Sequence, residues 1–257
     1  MNSRLFKYLF AAVFILSLFF LLSGFHNNMP PKNNGKLIIH FINTANAKKI
    51  GKDSVYKNFF GEEYTVSKLK YYISNISLNN YKEKESYHLI DAFASDSFSI
   101  ALPAERYNDL KFLLGVDSTK NCSGAQSGAL DPLNDMFWTW NSGYTMFKLE
   151  ATSASSAADL HRVEQHIGGY KGAYKTMREI NISLAANPTI ITENDQQYLS
   201  IQMNIDKYWH GVNEIKITTL PVLTTIGKQA KEAADNFPGM FSLTPTPLQW
   251  KGKANEN

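Results

Sequence analysis

Apolar residues recur at every second position through much of this chain, the period of a strand with one buried face. In residues 198–205, Leu199, Ile201, Met203 and Ile205 alternate with Ser200, Gln202 and Asn204. Residues 66–78 carry Leu69, Tyr71 and Ile73 on one face and Tyr72, Ser74 and Ile76 on the other, whereas residues 36–42 are apolar on both faces except at His40. Shorter runs of the same kind lie at 87–90, 98–102, 110–115, 144–150, 178–184 and 214–217. Helix signals are sparse. Residues 226–236 hold good helix formers and stop at Pro238-Gly239, and residues 157–165 add a turn or two at most. Many short strands with one late helix predict an all-β protein, an antiparallel β-sandwich with long loops and one short C-terminal helix.

The pattern changes at the ends. Arg4 and Lys7 precede an apolar run from Leu9 to Leu22, broken only by Ser17, which reads as a signal peptide or N-terminal anchor over residues 1–24. The run is shorter than the roughly 18 residues a spanning helix needs. Cleavage after Gly24 would put Leu22 where a small residue is preferred, so an uncleaved anchor is the alternative. No cysteine stands directly after the apolar run, which excludes the usual bacterial lipid anchor. Residues 25–35 are rich in Asn, Pro and Lys and read as a flexible linker, residues 36–250 as one domain, and residues 251–257 as a disordered tail. The chain is expected to be exported, to the periplasm or the cell surface. A net charge of +3 without a dense basic block makes nucleic acid a poor partner. Cys122 is the only cysteine, so no intrachain disulfide is available.

Candidate chemistry is limited. No Gly-x-Ser-x-Gly elbow, phosphate loop or dinucleotide fingerprint occurs, which argues against an enzyme. His40 in an apolar strand is either a core histidine with satisfied nitrogens or a metal ligand. His161 and His166 are five apart, the wrong spacing for two ligands on one helix face, and the following Gly168-Gly169 favours His166. His88 and His210 are weaker candidates. Asp117, Asn121 and Asp131 space three oxygens along a long loop; calcium takes roughly six to eight, and capping by Asx turns is the competing use. Trp138 and Trp140, on one face of any strand they share, concentrate aromatic area beside an Asn-Ser-Gly turn.

Read in order, Tyr71-Tyr72-Ile73-Ser74-Asn75-Ile76, Gly115-Val116-Asp117, Gly128-Ala129-Leu130-Asp131-Pro132, Met136-Phe137-Trp138-Thr139-Trp140-Asn141-Ser142-Gly143-Tyr144, Lys148-Leu149-Glu150 and His166-Ile167-Gly168-Gly169 form a distinctive series. The series closely resembles the MbnP-like copper-binding proteins, associated with methanobactin, from about His40 to Phe241. That resemblance implies an exported β-sandwich binding copper through histidines, with a tryptophan oxidised to kynurenine contributing to the site. It also implies a partner, a di-haem enzyme related to MauG and the cytochrome c peroxidases. His40 and His166 match histidines of the family pattern, and Trp138 and Trp140 match its paired tryptophans; which of the two is oxidised stays open. The competing reading is an exported interaction module in which the tryptophans are core and the histidines incidental.

Overall fold

The computed structural model describes residues 34–124, 126–139 and 142–244. The expected leader, most of the linker and the tail therefore lie outside the described residues, as does Trp140. No described helix is long and apolar enough to cross a membrane.

Two sheets close on one core. The smaller is built on β1 (Asn34–Ala45), which is flanked by β4 (Ser97–Pro103) and by β10 (Gln196–Asn204), and β10 in turn pairs with β11 (Phe241–Leu243). The larger is built on the long β2 (Glu63–Leu78), which pairs with β3 (Tyr87–Asp91), β5 (Asp109–Leu114) and β7 (Gly143–Thr152). Beyond β7 lies β8 (Arg162–Gly168), beyond β5 lies β9 (Arg178–Ser183), and the short β6 (Phe137–Thr139) runs beside the start of β7. Alternation decides what meets in the middle. Leu37, Ile39 and Phe41 of β1, Leu69, Tyr71 and Ile73 of β2, Phe147 and Leu149 of β7, and Val163 and Ile167 of β8 share one buried cluster. The expected all-β sandwich is what forms. Its pairing is mainly antiparallel, with β1–β10 parallel over nine residue pairs from Lys36–Gln196 to Thr44–Asn204. β1 lies between β4 and β10, buried by neighbours on both edges, which suits a strand apolar on both faces.

Helix α1 (Lys228–Asp235) occupies the expected C-terminal position and buries Ala230, Ala233 and Ala234. Two expectations are corrected. Residues 214–217 form no strand, only an isolated bridge between Glu214 and His210. Residues 157–165 give only a short 3-10 turn, Asp159–His161, and from Arg162 the chain is strand β8. The strand was hidden by Gln165, a polar residue on the core-facing side. Its amide donates to the Leu220 carbonyl at 2.8 Å and its carbonyl accepts from the Tyr208 hydroxyl at 2.8 Å, so burial costs it no hydrogen bond.

A second buried cluster covers the outer face of the larger sheet. Tyr72, Tyr144 and Met146 project outward there and are roofed by Val116, Leu130 and Met136 from the long loop that follows β5. That loop carries the site.

Candidate functional site

The outer face of the larger sheet has one charged row. His166 on β8 is paired in register with Lys148 on β7, Lys148 with Lys70 on β2, and Lys70 with Asp91 on β3. Each is the residue beside a core-facing neighbour, so all four point away from the core. Lys148 is nonetheless only 6% exposed at its side chain. The loop lies across it: Lys148 donates to the Asp135 carbonyl and sits 3.0 Å from its carboxylate. Lys68 joins Asp135 at 2.7 Å and Glu150 at 3.1 Å, and Glu150 reaches the His166 Nε2 at 3.1 Å.

These contacts hold the loop just ahead of Trp138. Asp135 stands in the left-handed conformation, φ 62°, and ends the turn Pro132–Asn134 so that the chain reverses into β6. A methyl group placed on Gly168 would lie 2.7 Å from the Trp138 indole. The indole therefore rests on the bare Gly168 backbone, where any side chain would displace it. Gly168 is two residues from His166 on the same face of β8, a rise of about 6.6 Å along the strand. The Trp138 indole thus lies over the strand position two residues beyond His166, although Trp138 and His166 are 28 positions apart in the chain.

Charges tune this corner. Burial, followed by the positive charge of Lys148, lowers the His166 imidazole below its ordinary value, against the pull of Glu150 and Glu164. A neutral imidazole keeps a lone pair for a metal. Burial pushes the Asp135 carboxyl up, but hydrogen bonds and ion pairs to Lys68 and Lys148 outweigh it and hold the group at about 2.

The other expected ligands lie elsewhere. His40 alternates with core residues Ile39 and Phe41, so it projects from the outer face of the smaller sheet, with Nε2 3.2 Å from Asp96. His166 projects from the outer face of the opposite sheet, and packed sheets stand about 10 Å apart. His40 and His166 therefore stand on opposite outer faces of the sandwich, with the core between them. His88 stacks on Phe98, ring centroids 3.7 Å apart, and its Nε2 lies 2.9 Å from Glu83. His210 stacks on Phe59 at 3.8 Å. His161 places Nδ1 3.1 Å from the Ser156 carbonyl. Among the described residues no group of three or more His, Cys, Asp or Glu side chains is placed to hold a metal ion.

The expected calcium loop finds a different use for its oxygens. Asp117 accepts from the Lys120 amide at 3.0 Å, and Asp131 from the Leu133 amide at 2.9 Å. Asn121 is buried, donating to the Val116 carbonyl at 2.6 Å and accepting from the Tyr144 amide at 2.9 Å. All three side chains cap turns or tie the loop to the sheet, and calcium gains no support here. Cys122 is free and exposed.

Lys148, Glu150, Asp135 and Gly168 are neighbours of His166 and of the Trp138 segment that strand periodicity alone does not single out. A signal existed: Lys148 and Glu150 share a face across an otherwise buried strand, which asks what covers them.

Comparison with known proteins agrees with this architecture. The MbnP family model matches residues 34–226, which contain both sheets, the loop and the Trp138–His166 corner. The solved structure of MbnP from Methylosinus trichosporium superposes with a TM-score of 0.53 at 11% identity, covering 72% of this chain and 80% of that one, a likeness of fold. No curated protein matches. With three quarters of its length inside the family match, the chain belongs to the MbnP family.

Proposed function

We propose that this chain is an exported copper-binding protein, a binder and not an enzyme, whose site is the corner formed by His166 and Trp138. The observation that carries the reading is the seating of the Trp138 indole on Gly168, on the same strand face as His166. An imidazole nitrogen suits copper, where an all-oxygen set would suit calcium or magnesium. One histidine is too few for a copper site, and no third-party cluster of ligands supplies the deficit among the described residues. Conversion of Trp138 to kynurenine would supply it. That oxidation consumes two equivalents of peroxide, expels the indole C2 as formate with one water, and adds one oxygen, leaving an aryl ketone and a free aniline amine, both donors that indole lacks. Bound copper would be held there by His166 and the modified side chain. Trp138 is the proposed oxidised residue because its placement beside His166 supports that role; Trp140 lies outside the described residues. The proposed catalyst is a di-haem partner enzyme, with peroxide as the oxidant consumed. His40, His88 and His210 take no part.

Co-production with a di-haem enzyme of that class, followed by peptide mass analysis and copper determination, tests the reading. A mass change on the Trp138 peptide, one copper per chain, and loss of copper in His166→Ala are expected. Unmodified tryptophans and no copper uptake would favour the alternative, an exported interaction module without a metal site.

A further inference from the structure

At the end of β7 and β8 away from Trp138 lies a second exposed surface. The loop joining the two strands, residues 153–161, is built on two buried serines. The Ser153 amide donates to the His161 carbonyl at 2.9 Å, the Ser156 hydroxyl to the Arg162 carbonyl at 2.6 Å, and the Ser153 hydroxyl to the Glu63 carbonyl. So tied, the loop holds Leu160 in the left-handed conformation, φ 56° and ψ 23°, with 91% of its surface exposed. Leucine rarely adopts that backbone shape, because its Cβ crowds the following carbonyl. Observed strain of this kind points to function. Leu160 also has an apolar neighbour. Val55, 66% exposed, opens the short strand Val55–Lys57 that pairs with the start of β2, and both residues line one depression of about 370 Å³ with Thr65, Thr152 and Ala154.

The edge of that short strand is closed at Lys57. Asn46 donates to the Lys57 carbonyl and accepts from the Lys57 amide, each at 2.7 Å, so no further strand adds there and contact is left to side chains. Charge around the depression is balanced: Lys57 pairs with Glu63 at 3.1 Å, Arg162 lies 3.9 Å from Asp159, and all four are exposed. The two carboxylates would be repelled by an anionic lipid surface. A surface bearing the same two signs would meet them with opposite charges. We infer that this surface joins two copies of the chain about a two-fold axis, the Leu160 of each copy entering the depression of the other beside Val55. Such a reciprocal contact needs a protrusion and a recess on one patch, and both are present with charges of both signs around them. Arg162 and Gly168, at opposite ends of β8, stand about 20 Å apart. The dimer therefore leaves both Trp138 corners open, and it stands or falls independently of copper.

Sedimentation velocity of the purified exported protein across a wide range of concentration reads the association. The wild type should shift from monomer to dimer as concentration rises. Leu160→Asn should weaken that association about thirtyfold or more, the loss expected of a central hot-spot side chain. Asparagine favours the left-handed backbone shape, so this variant should melt no lower than the dilute wild type, which separates lost contact from lost fold. Leu133→Ser, which removes an equally exposed side chain from another loop, should leave the dimer intact. A wild type that stays monomeric at every concentration would overturn the inference, as would a dimer that survives Leu160→Asn or is lost equally in Leu133→Ser. Co-sedimentation of a monomer with phosphatidylglycerol vesicles, abolished by Leu160→Asn, would assign the surface to a membrane and overturn it too.

Discussion

At the level of single residues, Gly168 and Asp135 decide where Trp138 sits. Gly168 has no side chain, and the indole occupies the room that absence leaves. Gly168→Ala should push the ring off the strand, costing about 1–3 kcal/mol by overpacking. A shift of tryptophan fluorescence would accompany it; an unchanged spectrum and stability would show that the ring is not held there. Asp135 gives a pH signature. Its folded-state carboxyl, held at about 2 by Lys68 and Lys148, lies below the ordinary carboxylate value near 4. A group depressed on folding contributes stability that is present in full above its unfolded value and lost as pH falls through the folded one. Asp135→Asn should therefore remove part of the acid sensitivity between about pH 4 and 2, measured by denaturant titrations across that window. Because Asp135 is more than half exposed, solvent screens the pairs and the effect should be small.

Among the elements, the loop between β5 and β7 is the one that makes a site from a sheet face. It is tied down by Asn121, whose side chain joins Val116, Asp117 and Tyr144 from within the second apolar cluster. Asn121→Ala leaves buried partners unsatisfied, a loss of about 1–3 kcal/mol for each stranded group. Faster amide exchange along residues 115–137, with the strands of the smaller sheet unaffected, is the expected measurement. Uniform loss of protection would instead place Asn121 in the global core. The element most open to misreading was β8. Gln165 broke its alternation, and only the partners Leu220 and Tyr208, distant in sequence, explain why a polar side chain is buried there.

For the molecule as a whole, the core between the two sheets forms without an intrachain disulfide, which a single cysteine cannot make. Copper that binds the folded protein alone should raise its melting temperature with concentration, by about 2.7 kcal/mol of stability at a hundredfold excess over Kd. His166→Ala should abolish that shift while His40→Ala should not, because the core stands between them. Equal loss in both would require a site the sandwich does not provide.

The sequence by itself determined the sandwich, because alternation over residues such as Leu199 to Ile205 is a local signal that survives in any context, and it determined the family through motifs in fixed order. It also marked His40, His166 and the Trp138–Trp140 pair, without choosing between the tryptophans. The seating of Trp138 over Gly168, on the strand that bears His166, and the parting of His40 from His166 were decided only by the tertiary structure. Which sheet a strand joins, and which face a loop covers, depend on pairings between residues far apart in the chain, and no local period encodes them.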